Sequence, residues 1–376
     1  MESERYCERI NRCTSLMRDS GLDLLLLTKP SNMRYLTGDG RLCAYAMISS
    51  EGLVALGVPT TDLADVREVA VLDDIVGFDD EVGMIHSIAN WFAKLGLDHG
   101  SVGLENMFLT GAMRSVLTHP HAKPAGIEAR DCTSIMTQLR IVKDEGEVDR
   151  IRVAGKVADT GMAAAIAAAR AGATESEIAG AGEYAMRRAG AEDFYRSYVS
   201  SGRRTTIAHG LPTTRPVEAG DLVMIDLHPI VDGYGADICR MTCPGHADGE
   251  QKAAYDVYLR ALQAAVSRVK AGVSVGDLEE TMHGVMRDAG HAEHIFGPPI
   301  HGVGLDFEEA PLPAGHAFFH GEAAPPPLAA NTTIAIGNCG LYVGQWGVRV
   351  EDTVVVGVNG AEMLTRFDYE FDGAQA

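Results

Sequence analysis

The chain has 376 residues, 46% hydrophobic and 22% charged, the composition of a globular protein too long for one ordinary core. A formal net charge of -20 argues against nucleic acid or an anionic membrane surface as a partner. Seven scattered cysteines suggest neither a disulfide framework nor a complete zinc site; with no signal-peptide pattern and no apolar run of spanning length, the expectation is a cytoplasmic protein.

Residues 1–140 alternate helix and strand signals, an α/β pattern. A helix near 5–20 leads through Gly21 into Leu22-Asp-Leu-Leu-Leu-Leu-Thr28, an apolar run that reads as a buried strand. Lys29-Pro-Ser-Asn turns the chain. Strands are expected at 43–49, 52–57, 73–78 and 101–105, and a helix at 83–96. Near 140 the character changes, and the domain boundary is placed there: 1–140 and 141–376. A charged helix start at Lys143 precedes apolar residues at helical spacing (Ile151, Ala154, Ala158, Met162, Ala165), and a second helix follows at 175–189. Helices at 250–270 and 275–289 separate two strand-rich stretches. The Pro/Ala/Gly-rich segment 311–331 reads as an exposed loop, with His316 and His320 as surface residues.

The most informative segment is Asp221-Leu-Val-Met-Ile-Asp226-Leu-His228-Pro-Ile-Val-Asp232-Gly233-Tyr-Gly-Ala-Asp237-Ile-Cys-Arg240. Asp232-Gly233 between apolar arms signals a tight hairpin, pairing Asp226 with Cys239 and Asp237 with His228. Asp226 and Asp237 then project from one face as diagonal neighbours, roughly 7–8 Å apart at Cα. Two such carboxylates repel unless a cation lies between them, and a divalent metal or a pair of metals is the economical answer. Solvated carboxylates on an open sheet face are the plain alternative.

Three further segments carry polar groups: His209-Gly-Leu-Pro, His301-Gly-Val-Gly-Leu-Asp-Phe-Glu308-Glu309, and Gly347-Val-Arg349-Val-Glu351-Asp352-Thr353. Aspartates, a histidine and a glutamate form a mixed oxygen/nitrogen set, suited to manganese, cobalt, zinc or iron rather than calcium. In this order, with Asn32-Met-Arg-Tyr-Leu-Thr-Gly38 upstream, these motifs resemble the pita-bread metallopeptidases, the superfamily of Xaa-Pro aminopeptidase, prolidase and creatinase. The resemblance implies an α+β protein: an N-terminal creatinase-type α/β domain and a C-terminal domain with a curved antiparallel sheet flanked by helices. It implies that Asp226, Asp237, His301 and Glu351 are metal ligands, with Asp237 and Glu351 bridging, and that His209 orients substrate. It also implies a homodimer, in which Arg34 and Tyr35 are candidates to reach the other subunit's cavity or to pack within their own domain.

Two positions depart from the family pattern. Asn338 stands where a glutamate ligand is usual; its amide oxygen can coordinate but brings no charge and cannot act as a general base. The expectation is therefore about one divalent ion per chain rather than two. Glu308 stands where the family has a histidine, and can act as ligand, proton carrier or partner for a cationic substrate. His228 faces the same side and is a candidate substrate contact. Three functions follow as expectations. The first is a hydrolase of an amide or related C–N bond, acting on a dipeptide or on a small cationic nitrogen compound. The second is a creatinase-like or lyase-like enzyme with little metal dependence. The third is a non-catalytic binding module.

Overall fold

The computed structural model describes residues 2–72, 74–312 and 326–371. They form two compact units, Met1–Arg140 and Ile141–Ala376. His316 and His320 lie outside the described residues, as does most of the expected loop 311–331; its last residues, 326–331, contain neither helix nor strand.

In the first unit the helices are α1 (Glu2–Asp19), α2 (Pro30–Thr37), α3 (Leu63–Val69), α4 (Glu81–Leu95), α5 (Gly111–Leu117) and α6 (Thr133–Arg140). The strands are β1 (Leu24–Leu27), β2 (Tyr45–Ser49), β3 (Val54–Pro59), β4 (Ile75–Phe78), β5 (His99–Leu104) and β6 (Gly126–Asp131), in the order β4-β3-β2-β1-β5-β6. The all-leucine β1 is central and buried along its length, as an uninterrupted apolar run requires. Helix α2 occupies residues expected to form only a turn and a motif. Pro30 begins it, where a missing N–H costs nothing, and Gly38 ends it with φ 86°.

In the second unit the helices are α7 (Glu145–Ala168), α8 (Glu175–Arg188), α9 (Gly249–Val266) and α10 (Val275–Asp288). Helix α7 starts two residues past the charged signal at Lys143, because Asp144 and Glu147 close a capping box around its first turn. The strands are β7 (Asp193–Ser201), β8 (Val223–Val231), β9 (Tyr234–Gly235), β10 (Ile238–Thr242), β11 (Ile295–Phe296), β12 (Ile300–Gly302), β13 (Thr333–Ile336), β14 (Gly340–Tyr342), β15 (Gly347–Val348), β16 (Glu351–Val356) and β17 (Ala361–Met363). The main sheet runs β12-β13-β16-β10-β8-β7, with β9 on β8 and β17 on β16, and its pairings are antiparallel. Ile225 and Leu227 of β8 pack with Ala154, Ala158 and Met162 of α7, while Tyr258, Leu262 and Leu278 of α9 and α10 pack with Ile334 and Val354. The fold class is thus α+β, a mixed sheet in one unit and an antiparallel sheet flanked by helices in the other.

Candidate metal centre

Sheet register assembles the site. The turn at Asp232 (φ 50°) and Gly233 (φ 80°) has both central residues in the left-handed region, as the tight hairpin expected from Asp-Gly requires. It sets Asp226 opposite Cys239, and Cys239 opposite Glu351 on the next strand. Two residues along, the same face carries His228, then Asp237, whose N–H donates to Thr353 Oγ1, then Ala335 and His301. Two adjacent rows across the sheet therefore hold Asp226, His228, Asp237, His301 and Glu351 on one face. The residues between them, Cys239, Thr353 and Ala335, are small.

Asp226, His228, Asp237, His301 and Glu351 are each at most 2% exposed. Their atoms converge without bonding. His228 Nε2 stands 3.2 Å from Asp226 Oδ1 and 3.3 Å from Asp237 Oδ1; His301 Nε2 stands 3.4 Å from Asp237 Oδ2 and 3.6 Å from Glu351 Oε1. Asp226 Oδ1, His228 Nε2, both oxygens of Asp237, His301 Nε2 and both oxygens of Glu351 are buried with no hydrogen-bond partner. Buried polar atoms are ordinarily paired, and several unpaired atoms facing one point mark a place built for something else. Two overlapping groups there could hold an ion: Asp226, His228 and Asp237, and Asp237, His301 and Glu351.

Arg349, two residues before Glu351, bonds Asp226 Oδ2 and lies 3.3 Å from Glu351 Oε2. Burial, with the Asp237 charge adding to it, pushes the Glu351 carboxyl up to about 7. For His301 burial opposes the charged form, but contacts with Asp237 and Glu351 outweigh it and raise the imidazole to about 10.

Beside this cluster is a cavity of about 330 Å³ lined in part by His209, His301, Glu308, Asn338, Tyr342 and Arg349. His209 and Glu308 are exposed, and the His209 ring lies 5.4 Å from that of Tyr198. Asn338 sits between β13 and β14. Gly337 precedes it at φ 114°, where a side chain has no room against the Val350 carbonyl. His228, expected to touch substrate, lies among the carboxylates. Tyr35 is buried in its own unit, donating to the Leu139 carbonyl at 2.9 Å. Arg34, next to it on α2, is half-buried.

Sequence reading did not single out Arg349, Phe307 or Tyr198 as site residues. The Phe307 ring lies 4.3 Å from that of His228 and 5.5 Å from that of His301, and Tyr198 lies 5.6 Å from His228. Arg349 falls between β15 and β16, so strand alternation alone does not fix its side. The position of Phe307 depends on how an irregular loop folds back, for which the sequence carries no periodic signal.

A curved antiparallel sheet presenting carboxylates and a histidine beside a cavity defines a pita-bread hydrolase. Residues 149–357 match the metallopeptidase family M24 and residues 9–142 match the creatinase/prolidase N-terminal domain, so the chain belongs to metallopeptidase family M24. It is 27% identical to an Xaa-Pro dipeptidase of Pyrococcus furiosus over 96% of this chain and 99% of that one. Its structure is similar to the prolidase of Pyrococcus horikoshii OT3 (TM-score 0.86, 27% identity, 97% of this chain and 99% of that one). It is also similar to an Xaa-Pro dipeptidase of Bacillus anthracis (TM-score 0.87, 26% identity, 98% and 99%). The class is hydrolase, and the family implies a divalent metal. The unpaired carboxylate and imidazole atoms fit such an ion in charge and donor type. Among the described residues no helix is long and apolar enough to cross a membrane.

Proposed function

We propose that this enzyme hydrolyses the amide C–N bond of a small substrate of dipeptide size, one that carries a cationic nitrogen near the scissile bond. The observation that carries the reading is the set of buried, unpaired donor atoms opening beside a 330 Å³ cavity. Asp226, Asp237, His301 and Glu351 would hold the divalent ion. When bound, the ion is a Lewis acid toward the scissile carbonyl and makes water a better nucleophile at neutral pH. Arg349 fixes Asp226 and reduces the repulsion among the three carboxylates. His209, at the cavity wall, orients the substrate. Glu308 attracts the cationic nitrogen, the α-ammonium of a dipeptide or an amine or guanidinium of another amide, and can carry a proton that Asn338 cannot.

Homodimerisation and a cytoplasmic location belong to the same reading; seven free cysteines support a reducing compartment. A second reading, a creatinase-like or lyase-like reaction with little metal dependence, draws on Asn338, whose amide brings no charge to the site. The test is activity toward Xaa-Pro dipeptides and cationic amides, with and without chelator, for the wild type and Glu308→Gln. Metal-dependent cleavage that Glu308→Gln impairs is expected. Robust Xaa-Pro cleavage undiminished by Glu308→Gln removes the cation contact, and activity that survives chelation favours the second reading.

A further inference from the structure

His228 takes no part in the hydrolytic scheme above, yet it is 1% exposed in the middle of the cluster. Its Nδ1 lies 2.7 Å from the Arg196 carbonyl oxygen. That oxygen only accepts, so Nδ1 carries a proton and donates, and Nε2 is the atom aimed at Asp226 and Asp237, where it can present a lone pair once a cation takes the place of its proton. His301 is fixed in the same way, with Nδ1 3.0 Å from the Gly302 carbonyl. An imidazole held at one nitrogen by a backbone carbonyl, with the other nitrogen unpaired, is the arrangement of metal-ligating histidines.

The spacing agrees. Two donors each about 2.1 Å from an ion stand roughly 3.0–3.4 Å apart at octahedral to tetrahedral angles. Nε2 of His228 is 3.2 and 3.3 Å from its two carboxylate oxygens, close enough to either but aligned for a hydrogen bond with neither. Asp237 divides its oxygens between the two histidines, Oδ1 toward His228 and Oδ2 toward His301.

We propose that His228 Nε2 is a metal ligand: with Asp226 Oδ1 and Asp237 Oδ1 it forms a second cation position. This position stands next to that of Asp237 Oδ2, His301 and Glu351. The inference rests on the site being a metal centre, not on which bond it cleaves. Strand β8 thus supplies a further donor, and the chain binds two divalent ions rather than the one expected from Asn338 alone. Two histidines among five ligand residues shift the preference toward cobalt or zinc over manganese.

The experiment is Co²⁺ binding to the full chain after chelator treatment, by calorimetry and elemental analysis, for the wild type and His228→Ala. Two ions per wild-type chain and one per variant are expected, with 20 mM imidazole restoring the second ion to the variant by filling the vacated place. Equal counts and equal affinities in the two proteins overturn the proposal. A measurement on the wild type alone guards against a variant that fails to fold. Proton NMR of the Co²⁺-loaded protein should contain paramagnetically shifted, exchangeable Nδ1–H signals from two histidines. A signal from one histidine overturns the proposal. Neither readout uses catalysis, so a protein that ligates through His228 but cleaves no C–N bond refutes only the proposed function.

Discussion

Glu175 and Glu351 are both fully buried carboxylates in the same unit, but only one of them is satisfied by the chain itself. Glu175 accepts from Ser201 N and Oγ at 2.8 Å each, from Thr213 N and Oγ1 at 3.0 and 2.6 Å, and from Arg204 Nε at 3.1 Å. Glu351 has no hydrogen bond at either oxygen. The contrast recurs one residue further along β16, on the opposite face. There Asp352 accepts from Arg240 Nη2 and Thr365 Oγ1 at 2.7 Å each and from Tyr369 Oη at 2.8 Å. Burying a charge is costly unless it is paired and hydrogen-bonded. Glu175 and Asp352 meet that cost with protein donors and hold the fold together. Glu351 and its neighbours leave it to a ligand from outside, and so the unsatisfied cluster is where function lies.

The largest expected effect breaks the site without breaking the fold. Asp237→Asn should lower metal-dependent hydrolysis on the order of a thousandfold or more. It should change the melting temperature in chelator only modestly, because the lost attraction to His228 and His301, which hold the Asp237 carboxyl below its usual range, is partly offset by relief of its repulsion with Glu351. Steady-state kinetics and thermal melts of the same preparation check both halves; a large loss of apo stability would place Asp237 with Glu175 instead. The converse is Glu175→Ala. Stripping that carboxylate from its donors strands Arg204 and the Ser201 and Thr213 groups and should cost about 3–5 kcal/mol in denaturant unfolding. That loss should be the same with and without metal.

The partition between these two kinds of carboxylate was only half legible in the sequence. Period-two alternation and Asp-Gly sufficed to pair Asp226 with Cys239 and to put Asp226, His228 and Asp237 on one face, because the register of a two-residue hairpin is a local property. That Glu351 and His301 join the same face depends on the pairing of β10 with β16, more than a hundred residues apart, and it came from the family resemblance, not from periodicity. Nothing local distinguishes Glu351 from Asp352. His228 was legible as a residue facing the site, but its contact with the Arg196 carbonyl is a tertiary fact, so a substrate role was the natural expectation. In the first unit the apolar strand and the long helices were readable. Helix α2 was not, although Pro30 at its start and Gly38 at its end are the ordinary punctuation of a short helix.

Smaller effects sharpen the comparison. A divalent ion at one hundred times its dissociation constant should stabilise the folded chain by about 2.7 kcal/mol, because the unfolded chain lacks the site. Differential scanning fluorimetry with Mn²⁺ or Co²⁺, reversed by chelator, measures this, and Glu351→Gln should remove most of the increment while Asp352 variants retain it if they fold. The smallest effect is expected at Tyr35. Tyr35→Phe should cost about 1 kcal/mol, the loss of one buried hydrogen bond to Leu139, and leave kinetics unchanged. A kinetic defect without destabilisation would instead favour a role for Tyr35 at a neighbouring subunit's cavity.

The central claim is that the unpaired atoms of Asp237, His301 and Glu351 exist to bind a cation. Anomalous diffraction from crystals grown in Mn²⁺ or Co²⁺ tests it most directly. A peak is predicted between Asp237 Oδ2, His301 Nε2 and Glu351 Oε1, at about 2.0–2.2 Å from each. Metal-replete crystals with no peak there, and with the three side chains hydrogen-bonded directly to one another, would contradict it.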